Sequence, residues 1–590
     1  MNGRRVLLLV GLTGLAFAAA PASASALCNG MAATVAGATG GNDVLTGTAG
    51  ADVIEGLGGN DTINGGGGND TICGDADDDT INGGTGDDHL EGGETGSDVD
   101  TVTFLGSSVG STGVTASLLD GTATVFMIEA NTLTGFENLT GTDGFDNLTG
   151  DNGPNAIEGL DRADNLEGLG GDDTITDAAG GTSDTDEVHY ENSPGPGGIV
   201  ADLGAGTVNG TAAGAGTDTV SGVFGVHGTI FGDTITGDAN HNSLVGDSGS
   251  DTLVPLAGPD FATGGSGTDT VSYATETGPI VTADLSSGET DNVTAPGGND
   301  TVFQVENLIG STQNDDITGG SESNVFDGRG GDDDLDGGPG GSDTAAFGGI
   351  AGGVVADLAA GIATGQGSDA LTNIDNLTGS AQDDFLTGDS GDNAFDGGPG
   401  GTDTVRFSGV SQGVTASLAT GAATGQGSDT FAGIENLTGS NQDDSLTGDA
   451  GPNALSGLDG ADNITGGLGA DGFFLGAGAD TITADDGVID TIDCEGGGPD
   501  SGSVDGPAPA ENYITACDSD GDGLIDFVDA CPITSATGAD GCAPPVVTPP
   551  VQTTPTTPAA PAAKQKCKKK KKKHAASAAK KKKCKKKKKR

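Results

Sequence analysis

From Thr39 to Gly92 the chain reads TGGNDVLTG TAGADVIEG LGGNDTING GGGNDTICG DADDDTING GTGDDHLEG, six nonapeptides without a slip. Asp43, Asp52, Asp61, Asp70, Asp79 and Asp88 stand nine residues apart, and two residues after each comes Leu45, Ile54, Ile63, Ile72, Ile81 or Leu90. A fixed period of this kind marks a repeat architecture. Glycines permit the positive-φ turn that other residues resist, and Asp-x-aliphatic makes a very short strand whose one aliphatic side chain points inward while its neighbours point out. Coils stacked about 4.8 Å apart bring the aspartates into files. Carboxylates in a file repel unless a cation lies between them, and calcium accepts such cages of carboxylate and backbone carbonyl oxygens. The pattern therefore predicts an all-β chain of parallel stacked coils held together by calcium.

The stretch resembles the RTX, or haemolysin-type, calcium-binding repeat G-G-x-G-x-D-x-U-x, and Gly65 to Cys73 (GGGGNDTIC) matches every fixed position. The resemblance implies a parallel β-roll in which two nonapeptides complete one coil. It also implies that each calcium lies between turns two repeats apart, so that Asp43 shares an ion with Asp61 and Asp52 with Asp70. The same ladder recurs in five further blocks. They carry Asp146, Asn155, Asp164 and Asp173; Asp233, Asn242, Asp251, Asp260 and Asp269; Asp315, Asn324 and Asp333; Asp384, Asn393 and, one residue late, Asp403; and Asp444, Asn453, Asp462, Asp471 and Asp480. The asparagine rungs depart from the family pattern, and they are expected to be weak or absent as metal sites, serving as turn formers or hydrogen bonders in the ladder. Between blocks runs a longer motif, as in Asp403 to Phe407, Gly413 to Leu418 and Ile434 to Leu437. Its Val-x-Ala-x-Leu alternation is strand-like; it reads as wider coils of the same solenoid, or as small sandwich-like inserts.

Charge is divided along the chain. Of 23 Lys and Arg residues, 18 lie between Lys564 and Arg590, Arg4 and Arg5 belong to the N-terminus, and three remain against 87 acidic residues, a formal −84 for the body. Such a charge opposes compaction, so the body must be disordered, spread thin or neutralised by cations; a solvated acidic polymer would have no need of the fixed aliphatic position. Tryptophan is absent and aromatics are 4%, which leaves a thin aliphatic core. Arg4-Arg5, the apolar run Val6 to Ala20 and the small-residue sites Ala22-Ser23-Ala24 and Ala24-Ser25-Ala26 read as a secretory leader. No later apolar run approaches the length of a membrane span. Export into a calcium-rich, oxidising space is expected, with a Cys28–Cys73 disulfide closing the N-terminal cap onto the fourth turn.

Cys517 to Pro532 (CDSDGDGLIDFVDACP) is a compact acidic loop. Counted from Asp518, ligand positions 1, 3, 5, 7, 9 and 12 fall on Asp518, Asp520, Asp522, the Leu524 carbonyl, Asp526 and Asp529, with Gly523 at the sharp turn. With Asp529 followed by Cys531-Pro532 the loop resembles a thrombospondin type 3 repeat, which implies a further calcium. A Pro/Thr spacer and a lysine-rich tail follow, the tail suited to anionic polymers of the cell envelope; no base-reading fold accompanies it, so nucleic acid is not expected. The organisation expected is a leader (1–26), a first roll (27–98), five blocks with their linking motifs (99–185, 186–268, 269–342, 343–402 and 403–492), a cysteine-containing calcium segment (493–542), the spacer (543–563) and the tail (564–590).

No H-E-x-x-H zinc motif occurs among the five histidines. Gly106 to Gly110 matches G-x-S-x-G, and Gly246 to Gly249 and Gly388 to Gly391 mimic a serine-protease motif, matches that a chain this rich in Gly, Ser and Asp produces by accident. The function expected is a secreted, calcium-folded structural or adhesive protein and not an enzyme. The alternatives are an ice- or carbohydrate-binding β-roll, suggested by aligned Thr62, Thr71 and Thr80, and a cryptic hydrolase using Ser108.

Overall fold

A computed structural model describes residues 27–93, 98–106, 112–125, 128–177, 185–275, 281–285, 291–295, 298–365, 367–484, 486–494, 500–504 and 513–515. Each nonapeptide contributes one short strand, and consecutive strands alternate between two parallel sheets. Val44–Thr46, Thr62–Asn64 and Thr80–Asn82 stack in register in one sheet, with Leu45 beside Ile63 and Ile63 beside Ile81. Val53–Glu55, Thr71–Asp75 and His89–Gly93 stack in the other, with Ile54 beside Ile72 and Ile72 beside Leu90. Nine residues step across to the opposite sheet, and eighteen return to the next rung of the same one. The aliphatic residue of each strand is buried, and its two neighbours point outward. The core is accordingly one side chain thick: Ile63, Ile72 and Ile81 each contribute about 1.5–3 kcal/mol by burial, and their files run the length of the two sheets. The all-β fold class read from the period is the fold observed.

The linking motifs are wider coils of the same solenoid, and each carries a β-hairpin. In the first, Thr112–Ser117 pairs parallel with Phe145–Thr149, Glu129–Thr134 pairs parallel with His89–Gly93, and Thr122–Val125 runs antiparallel between them. Four further inserts, at 200–221, 282–303, 355–372 and 415–432, repeat the plan. The Val-x-Ala-x-Leu motif is its first strand. Its alanine is buried opposite an alanine of the reversed strand in three inserts, Ala116 against Ala123, Ala356 against Ala363 and Ala416 against Ala423, and opposite Val208 and Val293 in the other two. The hairpin turn needs a left-handed residue, which Gly121, Gly206, Gly361 and Gly421 supply at φ 64 to 69°.

After each insert the roll resumes through Glu-Asn-Leu or its equivalent. Glu137 Oε2 accepts the Asp100 N–H, Asn138 Oδ1 accepts the Ala156 N–H, and Leu139 is buried. Past residue 492 the parallel stacking goes on: Thr481–Ala484 pairs with Ser501–Val504 and Thr491–Asp493 with Tyr513–Thr515. At the other end, Cys28 is bonded to Cys73, as expected, which ties the N-terminal residues to the fourth strand. Cys494 is also disulfide-bonded.

Candidate metal centre

The ladder residues form continuous files. In the first roll, from Asp61 onward, one carboxylate oxygen of each aspartate accepts the backbone N–H of the ladder residue one coil earlier. Asp61 Oδ1 takes the Asp43 N–H at 2.7 Å, Asp70 the Asp52 N–H at 2.8 Å, and Asp79 and Asp88 those of Asp61 and Asp70. The pairs expected to share an ion, Asp43 with Asp61 and Asp52 with Asp70, are thus stacked neighbours. The pattern recurs from Asp146 to Asp164, Asp233 to Asp251, Asp315 to Asp333, Asp444 to Asp462 and Asp462 to Asp480. The sequence reading missed the members contributed by the wide coils: Asp218 accepts from Asp173, Asp300 from Asp260, Asp369 from Asp333 and Asp429 from Asn393. These residues lie 36–45 positions downstream of their partners, outside the nine-residue period that would have revealed them.

The second oxygen divides the rungs into two kinds. Asp61, Asp70, Asp79, Asp88, Asp164, Asp173, Asp251, Asp269, Asp462 and Asp480 each bury Oδ2 without a hydrogen-bond partner. In all ten the residue four places earlier has positive φ. It is glycine before Asp70, Asp88, Asp269 and Asp480, but Leu57, Leu160, Leu169 and Leu458 hold the same conformation at φ 67 to 83° before Asp61, Asp164, Asp173 and Asp462. A bulky side chain there is strained, and strain of this kind is retained where function requires the geometry. Arg329 and Gly467, four before Asp333 and Asp471, share it.

Seven further aspartate rungs are closed by hydrogen bonds. Thr39, Thr48, Thr142, Thr229, Ser311, Ser380 and Ser440, each four residues before its aspartate, donate backbone N–H groups to Asp43, Asp52, Asp146, Asp233, Asp315, Asp384 and Asp444 at 2.5–2.6 Å, and their hydroxyls add a second bond. The asparagine rungs close likewise: Asn155 Oδ1 accepts the Asp151 N–H while Nδ2 donates to the Glu137 carbonyl, and Asn453 repeats both bonds. The asparagines are turn formers and ladder members at once.

Electrostatics makes the open rungs demanding. Burial first, and like charges on adjacent coils second, push Asp79, Asp173, Asp251 and Asp333 up to about 7 and Asp164 to about 8. A buried acceptor oxygen with no donor is costly, and a file of them is a hard, anionic, all-oxygen environment. A calcium ion fits the donor set, since it takes six to eight oxygen ligands from carboxylates and backbone carbonyls.

The acidic loop of Asp518, Asp520, Asp522, Leu524, Asp526 and Asp529 and the Ser108 motif lie outside the described residues. Ser390 lies in a turn between coils, and Ser248 in the two-residue strand Ser248–Gly249 paired with Ser266–Gly267. Ser248 accepts a hydrogen bond from the hydroxyl of Ser266 at 2.9 Å, and the turn at Ser390 is closed by the Gly391 N–H on Asp389. The family model described as RTX calcium-binding nonapeptide repeat matches residues 37–72, 74–95, 158–180, 227–262, 309–342, 365–403, 429–454, 438–473 and 447–482. Among curated proteins, none matches the chain in sequence.

Proposed function

From the premise that this chain belongs to the RTX calcium-binding nonapeptide repeat family and binds calcium, we propose that it is an exported protein that remains expanded until it meets calcium, then folds and serves as a structural or adhesive component of the cell surface or matrix, without catalysis. The observation that carries this reading is the file of buried Oδ2 atoms without partners, each in a turn whose backbone is held left-handed. The open rungs would hold the ions, Asp61, Asp70, Asp79 and Asp88 in the first roll and Asp164, Asp173, Asp251, Asp269, Asp462 and Asp480 in the later blocks, joined by Asp333 and Asp471, whose turns have the same left-handed residue. At the closed rungs the Thr and Ser bonds do locally what an ion does at the open ones, so Asp43, Asp52, Asp146, Asp233, Asp315, Asp384 and Asp444 would act chiefly as N–H acceptors and end members of the files. The acidic loop from Asp518 to Asp529 would add a calcium of its own.

Export is supported by the leader-like first 26 residues and by the Cys28–Cys73 disulfide, which suits an oxidising compartment. Among the described residues no helix is long and apolar enough to cross a membrane. The lysine-rich tail, +18 against an acidic body, would attach the protein to anionic envelope polymers. A ligand that binds only the folded state shifts folding by mass action, so millimolar calcium outside the cell supplies the driving force that the cytosol withholds. The test is circular dichroism of the full exported chain during calcium titration, with fractionation of the producing cells. A cooperative gain of strand signal and recovery in the envelope or medium are expected. A strand signal unchanged by chelation of every divalent metal, or retention in the cytosol, refutes the reading.

A further inference from the structure

The outward face of the second block carries a cluster unrelated to the carboxylate files. Glu187–His189 and Gly225–His227 are neighbouring parallel strands, with Val188 beside Val226 and His189 beside His227. The valines point into the core and the polar residues point out. The two imidazoles stack with centroids 4.4 Å apart and planes 18° from parallel. Opposite Glu187 stands Gly225, which has no side chain, and the Glu187 carboxylate hydrogen-bonds with His227 on the same strand as that glycine. His227 Nε2 lies 3.3 Å from Glu187 Oε2, and its Nδ1 lies 3.6 Å from Asp247 Oδ2. One ligand atom from each of Glu187, His189 and His227 falls within 4.8 Å of the others.

We propose that Glu187, His189 and His227 bind one divalent transition-metal ion of the zinc type, separate from the calcium rungs, with water completing its coordination. Two imidazoles and one carboxylate are a borderline-soft donor set that suits zinc and not calcium, which prefers oxygen throughout. Ligands at about 2.0–2.1 Å in a tetrahedron lie about 3.3 Å apart, the separation already present between His227 Nε2 and Glu187 Oε2. An ion between them takes the place of the shared proton, and a modest side-chain rotation brings His189 in. Asp247, near the far nitrogen of His227, is placed to orient the ring as carboxylates do behind metal-bound imidazoles.

The surroundings favour a cation. His189 borders an open groove with Asn147, Thr149, Asn165, Glu167 and Glu191. In it Glu167 buries Oε1 with no hydrogen-bond partner, and Glu191 approaches His189 Nδ1 at 3.2 Å. An ion here joins the two strands that flank the second hairpin insert, residues 200–221, and so clamps the one coil in that block that breaks the nonapeptide period.

The experiment uses the full chain, saturated with calcium so that the carboxylate files are filled, and titrated with zinc by calorimetry and with cobalt by visible spectroscopy. One zinc per chain is expected, with a d–d band of low coordination number for cobalt. His189→Ala and His227→Ala should each weaken binding at least tenfold, whereas His241→Ala should not, because that ring packs between Phe224 and Phe261 away from the cluster. Circular dichroism checks that each variant still folds with calcium, and Glu187→Gln replaces any that does not. A calcium-folded wild type that takes up no zinc, or a His189→Ala/His227→Ala chain that binds it as well as wild type, overturns the proposal. Either result leaves the calcium-driven folding intact, since that is read in the same sample before zinc is added.

Discussion

Asp164→Asn separates the two roles of a ladder carboxylate. Asp164 Oδ1 accepts the Asp146 N–H at 2.7 Å, its own N–H is bonded to Asp186 Oδ1, and its Oδ2 is buried without a partner. Asparagine keeps the acceptor for Asp146 and removes the charge. Two full charges about 4.8 Å apart on successive coils repel by about 3.5 kcal/mol at an effective dielectric constant of about 20. Burial first, and such a neighbour on each side, Asp146 and Asp186, second, push the Asp164 carboxyl up to about 8. Without metal, therefore, the substitution should favour the folded roll, by about 1–3 kcal/mol after relaxation. With calcium the sign reverses, because a carboxylate ligand is lost: a site filled at 100 times its dissociation constant contributes about 2.7 kcal/mol to folding. The assay is circular dichroism in two titrations. In calcium at pH 7.5 the folding midpoint should move to higher calcium; in chelator, the pH at which acid induces strand structure should move up. If both midpoints move towards lesser stability, Asp164 is a hydrogen-bonding residue and nothing more, and the electrostatic account of the open rungs fails.

The same reasoning gives the metal-free wild type a definite pH dependence. Carboxyls pushed up to about 6–8 in the folded state keep protons that the unfolded chain has lost above its own value near 4. Folding stability must then fall as pH rises from about 4 to 8; chelated protein should gain strand signal on acidification through that window, and apparent calcium affinity should rise with pH. Reducing Cys28–Cys73, which closes a separation of 45 residues, removes about 4 kcal/mol on the chain-entropy argument, and should expose the first roll to hydrogen exchange ahead of the later blocks. Thr142→Ala removes the 2.9 Å hydroxyl bond to Asp146 and should cost about 1–2 kcal/mol in urea unfolding without changing the number of calcium ions bound.

The nine-residue period by itself determined the fold class, the inward position of Leu45, Ile54 and their successors, and the files of aspartate. It could do so because a one-side-chain core and a glycine turn are local requirements, met within each nonapeptide and repeated by stacking. Three things were decided only by the tertiary structure. The reversed strand of each hairpin insert carries no glycine–aspartate signature, so Thr122–Val125 and its counterparts became visible only through their partners on both sides. The split between open and closed rungs depends on whether the residue four places earlier turns left-handed or donates its N–H, a choice that Leu57 and Thr48 make oppositely; the Thr or Ser at that place was a signal available in the sequence. His189 and His227, 38 positions apart, meet because the intervening hairpin is extruded and the coil closes beneath it. Contacts whose spacing is set by an insertion have no period to read, and only the folded stack brings them together.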